Sequence, residues 1–490
     1  MTQLTNRPIG IASALLLLLA ASVDAKPAHE GKLEHLAEHL QETPFAYPPL
    51  NVELVGALDV VAEEDLSQQV MTSSGPLKTT DLFVSGEFAY VGSFANRLYI
   101  VDISTPEQMR VVVEVETPGP AVDVKVQGDL AVIAVQRAGL RLGLMMVDVS
   151  DPRQPLVLAE FSDRSWQGIH NLFLHGDRAY LAPIERSDGV QGIFVIDISQ
   201  PSAPHISGTW VNEDDRFSNL IHDVFVDGDL AYVSDFFGGL VILDFTDPDR
   251  PVTLSSLPFE EGIHSAWASD GYVYCNQEFG GWERSLHVVD ARDPANPVKV
   301  GEFRAAEPPT EQIVGPHNPF VRDGLLYYAY YDAGLRIFDL SEPAAPREVG
   351  YHASALAWSA HPHVDGIVYV ADSREGLLAF RYTGVATAIE ETDTTTEPDG
   401  FVLAQNYPNP FNPSTTINFS IPGPAAVDLA IFNLAGQKVS TLVSGELNSG
   451  AHAVSWDGRD DAGRSLASGV YLYRLEGGEF KQHRKLLLIK

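Results

Sequence analysis

The sequence predicts an all-β protein: a seven-bladed β-propeller followed by a small immunoglobulin-like β-sandwich. Three observations predict it. A unit of forty to fifty-three residues recurs seven times, registered on Tyr90, Val132, Tyr180, Tyr232, Tyr274, Tyr327 and Tyr369. Each unit parses into four short alternating runs separated by Gly/Asp turns. After Tyr382 the composition changes, and a second set of alternating runs begins at Phe401.

In chain order, residues 1–25 read as a secretory signal. Arg7 precedes the apolar run "IGIASALLLLLAAS", and small residues lead to a cleavage point at Ala25. The run is short for a membrane span, and no other stretch approaches one, so no span is expected after signal removal. Residues 26–49 form an extension containing "HLAEHL". Its His35 and His39 stand four apart on a helical stub, a spacing that suits a metal. Leu33, Leu36 and Leu40 give the simpler packing role.

The propeller is assigned to residues 50–382. The clearest copy is "IHDVFVDGDLAYVSDFFGGLVILDFTDPDRPVTLSSLP", from residue 221. "HDVFV" alternates, "DGD" turns, "LAYVSD" returns, "GG" turns, and "LVILDF" runs down to an Asp-Pro turn. Asp102, Asp148, Asp197, Asp244, Asp290 and Asp339 each precede a proline by four residues. Such Asp side chains accept local backbone N–H groups while proline fixes φ. The seventh copy stops after three strands, at "GLLAFRYTG". "LNVELVGALDV", residues 50–60, looks like an orphan fourth strand and is expected to complete that last blade, which removes two open sheet edges.

"TAIEETDTTTEPDG" places a Thr/Glu-rich linker at 383–400. Residues 401–490 start with the turn-dense "NYPNPFNPSTT" and continue as alternating runs, the pattern of a β-sandwich.

The formal net charge is −34. Residues 401–490 hold eight Lys and Arg against seven Asp and Glu, so the residues before them carry −35. That excess disfavours nucleic acid and anionic lipid as partners and favours solubility and cations near acidic faces; the simpler role is a solvated acidic surface. Cys275 stands alone, so no internal disulfide forms; in "YVYCNQ" it reads as a buried thiol.

The first strand of a blade is innermost. His170, His222, His264 and His317 all stand ten residues before the registering residue, at one mouth of the central channel. Thr80 and Val122 hold this position in the first two copies. Ser359 holds it in the seventh, with His361 and His363 nearby. Imidazoles with neighbouring carboxylates suit a divalent transition metal, so His170, His222, His264, His317 and His361 are the candidate metal ligands. The simpler role for each histidine is a hydrogen-bonded lock between blades. Turns on the same face add Asp235, Gln277, Glu278, Trp282, Asp332 and Asp372 as candidate ligand-binding residues, together with the longer segments "RAGLRLG", "ERSDGVQG" and "EFGGWERS". Trp166 and Trp358 fall near this mouth and can stack on sugars or simply pack.

The runs "LYIVDIS", "IFVIDIS", "LVILDFT" and "LHVVDAR" resemble LVIVD repeats of bacterial cell-surface propellers. "GIHNLFLHGDRAYLA" further resembles the choice-of-anchor B group, whose members share the propeller and vary in attachment domain. Residues 401–490 resemble the type A sorting domain of type IX secretion substrates, through "NYPNPFNPSTTINFSI", "IFNLAGQKV", "SWDGRDDAGRSLASGVYLYRL" and the basic end "KQHRKLLLIK". That resemblance implies Sec export to the periplasm, recognition of 401–490 by the type IX machinery, and an extracellular or outer-membrane-surface destination. No nucleophile elbow, phosphate loop or cysteine-based zinc motif is present. The sequence therefore favours a binding or interaction module for an extracellular polymer or protein. The alternative is a metal-dependent hydrolase or lyase at the histidine-lined mouth.

Overall fold

The structure, a computed structural model, describes residues 49–61, 71–72, 75–136, 143–166, 168–183, 192–212, 220–260, 262–278, 286–305, 315–363, 366–384, 402–403, 415–421, 423–433, 437–447, 450–461, 464–478 and 480–488. The signal, residues 26–48 of the extension, residues 385–400 of the linker, Trp282 and most of the three longer segments lie outside them. The chain divides into two compact units, 1–389 and 390–490.

The first unit is a propeller-like repeat of four-stranded antiparallel sheets. Sheet 1 comprises Thr79–Ser85, Phe88–Ser93, Arg97–Asp102 and Arg110–Glu116. Sheet 2 comprises Ala121–Gln127, Leu130–Val135, Leu144–Asp148 and Leu156–Phe161. Sheet 3 comprises Ile169–His175, Arg178–Pro183, Gly192–Asp197 and His205–Val211. Sheet 4 comprises Ile221–Asp227, Leu230–Asp235, Gly239–Asp244 and Val252–Pro258. Sheet 5 comprises Ser265–Ser269, Tyr272–Asn276, Leu286–Asp290 and Val298–Phe303. Sheet 6 comprises Pro319–Arg322, Leu325–Ala329, Leu335–Asp339 and Arg347–His352. Sheet 7 takes Ala357–Pro362, Ile367–Asp372 and Gly376–Tyr382 from one end of the unit, and its fourth strand, Val52–Leu58, from the other. The pairing there is antiparallel, Val52 against Tyr382 through Leu58 against Leu377.

Why these residues make these sheets is visible at the third turn. The Oδ1 atoms of Asp102, Asp148, Asp197, Asp244, Asp290 and Asp339 accept the backbone N–H two residues on, at 2.8–3.2 Å. The same register shift follows in the fourth strand of sheets 1–6, for example between Ile242 and Leu243. A β-bulge there bends the outer strand.

No sheet closes on itself; the sheets are joined by their faces. Each successive pair of sheets shares its own apolar cluster. A further cluster joins sheet 7 to sheet 1, with Ile367, Tyr369 and Leu377 packed among Leu82, Val91 and Tyr99. Consecutive first strands touch in order, and the first strand of sheet 7 touches that of sheet 1. The same seam is bonded: Thr79 Oγ1 donates to the Asp372 carbonyl at 2.8 Å, and Ser373 Oγ to the Thr79 carbonyl at 2.7 Å. Cys275 is fully buried, and burial pushes its thiol pKa far up.

The second unit has two antiparallel sheets around one core. Val402–Leu403, Thr415–Ile421 and Gly450–Trp456 form one. Lys438–Leu447, Ala425–Asn433, Gly469–Gly477 and Phe480–Leu488 form the other. Ile417, Phe419 and Trp456 meet Leu429, Tyr473 and Leu486 in that core.

Candidate functional site

Register decides which residues share a level around the channel. In sheet 4, Phe225 pairs with Tyr232 and Val224 with Val233. A bulge then intervenes between Ile221 and Asp223. The bulge lets consecutive residues, His222 and Asp223, serve different places. The equivalent shift recurs in sheets 1, 2, 3 and 7. The outermost level is then Thr80, Val122, His170, His222, His264, His317 and Trp358. The histidine alignment needs one correction. In sheet 7 His361 pairs with Tyr369, as Phe225 does with Tyr232, and Ser359 pairs with Ala371, as Asp223 does with Ser234. The turn between its first two strands is one residue longer. Trp358 therefore takes the histidine position, and His361 lies three residues deeper.

The structure brings four of the five candidate metal ligands together. His170, His222, His264, His317 and Trp358 form an arc of rings with centroids 4.5, 4.1, 4.7 and 4.8 Å apart. His222 Nδ1 donates to the His264 carbonyl at 3.0 Å, and His317 Nδ1 to the Trp358 carbonyl at 2.6 Å. Each bond crosses from one sheet to the next. His170 Nδ1 instead meets Gln136 Oε1 at 3.1 Å. Burial lowers all four histidine pKa values, those of His170 and His317 to about 4. The rings are therefore neutral near pH 7, and for His222 the donated Nδ1–H leaves Nε2 as a lone pair.

Glu278 closes on this arc. Its Oε2 lies 3.4 Å from His264 Nε2, and one ligand atom each from His222, His264 and Glu278 falls within 4.8 Å of the others. All three side chains are buried. His222 Nε2, His264 Nε2 and Glu278 Oε2 have no hydrogen-bond partner among the described residues. The other Glu278 oxygen accepts the Tyr331 hydroxyl. Burial pushes the Glu278 pKa up to about 8. Tyr331 holds φ at +43°, a left-handed conformation that costs a bulky residue about 1–2 kcal/mol. Sequence reasoning missed Tyr331; nothing in "YYDAG" marks which tyrosine turns inward.

One residue deeper lies a polar ring: Asp81, Asp123, Asn171, Asp223, Ser265, Asn318 and Ser359, one per sheet. This was also missed, although it is legible as a small polar residue directly after each histidine-position residue. Several members latch neighbouring sheets. Asp123 Oδ2 accepts the Leu172 N–H at 2.7 Å, and Asn171 Nδ2 donates to the His222 carbonyl at 3.0 Å. Lys125 Nζ bonds Asp81 Oδ2 at 2.9 Å and also Asp123 Oδ1. Burial opposes ionisation of Asp81, yet Lys125 and the hydrogen bonds around it hold its carboxyl far down. Burial raises Asp123 against the pull of Lys125. Among the described residues Asp223 accepts from Val224 N on its own strand, and burial lifts it to about 6.

Two residues deeper again, six rings form a second arc: Phe173, Phe225, Trp267, Phe320, His361 and Phe83, with centroids 4.3–4.9 Å apart. Lys125 occupies the seventh position. The polar ring, apart from Ser265, and this arc line a channel cavity of about 80 Å³.

The other candidates are accounted for as follows. Asp372 is consumed by backbone donors, from Leu356, Arg374 and Glu375 at 2.7–2.9 Å. Asp235 caps its own turn at Phe237 N, 3.1 Å away. Asp332 lies 3.7 Å from Arg374, and burial raises it to about 7. Gln277 is buried beside Glu278. Trp166 is packed between Phe161 and Phe194, so it is core rather than a stacking platform.

Fold and channel together define a β-propeller repeat protein. Its segments 78–117, 118–162, 171–211, 221–257 and 320–353 match the LVIVD repeat, and 409–479 matches the FlgD Ig-like domain. No curated protein matches the chain. Similar solved structures include the Cps50 (Swd1) β-propeller domain of Myceliophteria thermophila, at 14% identity and TM-score 0.45, covering 62% of this chain and 99% of that one. The WD40 β-propeller domain of Doa1 is similar at 12% identity and TM-score 0.47, covering 67% and 96%. PorZ, a surface component of the type-IX secretion system of Porphyromonas gingivalis, is similar at 14% identity and TM-score 0.35, covering 83% and 64%.

Proposed function

We propose that this chain is an exported binding module. In this reading the first unit is a closed seven-bladed propeller of the choice-of-anchor B kind. It recognises an extracellular polymer or protein through the channel mouth and its adjoining face. Residues 401–490 act as an immunoglobulin-like sorting domain read by the type IX machinery after Sec export.

The observation that carries the binding half is the channel itself. Around the cavity three carboxylates and three neutral polar groups sit at one level above six aromatic rings, against one cation among the described residues, Lys125. Aromatic faces and surplus negative charge suit a cationic group on the partner. The chain's −34 net charge supports the same choice. A metal-dependent hydrolase or lyase is the second reading, favoured by the convergence of His222, His264 and Glu278.

The export half is tested in a type IX-competent host and its translocon-deficient sibling. The full chain should reach the medium or outer surface only in the first. A chain ending at Gly400 should stay in the periplasm with its propeller folded. Surface delivery of the shortened chain ends this reading.

A further inference from the structure

The strongest unexplained feature is three buried polar atoms without a hydrogen-bond partner among the described residues, on side chains that converge. Burying a polar atom without a hydrogen-bond partner costs its full desolvation penalty. Here His222 Nε2, His264 Nε2 and Glu278 Oε2 all bear that cost, and one ligand atom from each of the three residues falls within 4.8 Å of the others. We propose that His222, His264 and Glu278 form a binding site for one divalent transition-metal ion, with Tyr331 as its positioning residue.

Four observations carry the assignment. The donor set, two imidazoles and one carboxylate, is a ligand set that binds borderline ions, zinc first among them. One spacing matches directly: two ligands each about 2.0–2.1 Å from a tetrahedral ion stand about 3.3 Å apart, and His264 Nε2 lies 3.4 Å from Glu278 Oε2, while the set as a whole spans up to 4.8 Å and draws in on binding.

The outer contacts are also those of metal ligands. A ligating histidine donates its other ring N–H to a carbonyl or similar acceptor, which fixes the tautomer and aims the lone pair. His222 does this to the His264 carbonyl. His264 Nδ1 lies 3.2 Å from Ser265 Oγ, which itself bonds the His317 carbonyl at 2.8 Å. Finally, the Tyr331 hydroxyl holds the second Glu278 oxygen, which turns Oε2 toward the histidines. The strained φ at Tyr331 is the backbone cost of that contact.

The ligands come from sheet 4, sheet 5 and the segment after the second strand of sheet 5, so an ion here clasps two sheets at the channel mouth. Three protein ligands leave a tetrahedral ion one position for water or a substrate oxygen. This inference is independent of the export route.

The test uses the full chain without its signal, stripped of metal and titrated with Zn²⁺ and Co²⁺. One equivalent should bind, raise the thermal midpoint of the first unit, and give a cobalt d–d spectrum. Glu278→Gln keeps shape and the Tyr331 bond; it should weaken binding at least 100-fold with unchanged circular dichroism. Tyr331→Phe should weaken it about 10–100-fold, as loss of outer-contact partners does.

No stoichiometric metal in the unaltered chain overturns the proposal. So does metal that persists in Glu278→Gln but is lost when residues 26–49, with His35 and His39, are removed. Should Glu278→Gln fail to fold, X-ray absorption of the zinc-loaded chain decides. A nitrogen and oxygen shell at about 2.0–2.1 Å including two imidazoles upholds the site, and a shell without imidazole rejects it.

Discussion

Two arcs of rings circle the same channel a few residues apart, and they are built on opposite principles. The upper arc, His170 to Trp358, is held by directed bonds. His222 and His317 each donate to a carbonyl on the next sheet, so changing a ring changes the seam between sheets. The lower arc, Phe173 to Phe83, is held by ring contacts alone, and its one polar member, His361, has neither nitrogen hydrogen-bonded among the described residues. One level positions backbone and leaves Nε2 atoms available. The other supplies an apolar wall. Repeats of similar sequence therefore carry two kinds of contact, set by how far along the innermost strand a residue stands.

Both arcs depend on sheet 7 joining the two ends of the unit, and the largest effect comes from breaking that joint. Deleting residues 50–58 removes the fourth strand of sheet 7 and bares the edge of Gly376–Tyr382. Val52 leaves the sheet 6–sheet 7 core. The first unit should lose its cooperative transition in calorimetry, or aggregate through the new edge, while the transition of unit 390–490 stays in place. An unchanged first transition would show that the arcs do not need the closure.

Next comes the level between the arcs. Lys125→Met leaves Asp81 and Asp123 buried beside each other without their cation. Removing one partner of a buried charge set costs about 3–5 kcal/mol. Urea unfolding at pH 7 should show a loss of that size. Adding Asp123→Asn to the variant should recover part of it, because one of the two repelling carboxylates is then neutral. A loss below about 1 kcal/mol would mean that water, not Lys125, balances the pair.

Much of this architecture was open to reading from residues alone, and the limits have a physical origin. The Asp-Pro turns are local chemistry within a few residues, so pattern and outcome coincide at all six. The need for an outside strand in sheet 7 follows from counting strands against edges. The position of His361 did not follow, because counting back from Tyr369 crosses a turn one residue longer than in sheet 4, which displaces each residue of Ala357–Pro362 by one position, to the other face of the strand. Glu278 was marked as a mouth residue, but its pairing with His264 depends on a loop path that no periodicity encodes. The polar ring escaped notice because its members differ in type and share only a register.

A smaller effect separates the arcs directly. His317→Phe preserves a ring of similar breadth but strips the Trp358 carbonyl of its donor. That should cost about 1–3 kcal/mol, measured as a lower urea midpoint with unchanged slope. A Phe tolerated there as well as in the lower arc would erase the distinction between the two levels.

The smallest effect has the opposite sign. His361 stands among phenylalanines at 4.7 and 4.4 Å, and burial, aided by the Arg322 charge, lowers its pKa to about 3. The unfolded chain binds a proton near pH 6.5, whereas the folded chain refuses it until about pH 3. Its contribution to stability is therefore complete above pH 6.5 and is lost as pH falls, at up to about 1.4 kcal/mol per pH unit. His361→Phe should gain about 1 kcal/mol at pH 7 by removing two unpaired buried nitrogens. The gain should widen by about 2 kcal/mol at pH 5, because the variant has no proton to refuse. The upper histidines remain in both proteins and cancel in the difference. A gain independent of pH would place a hydrogen-bonding water on His361 and make the lower arc a polar surface after all.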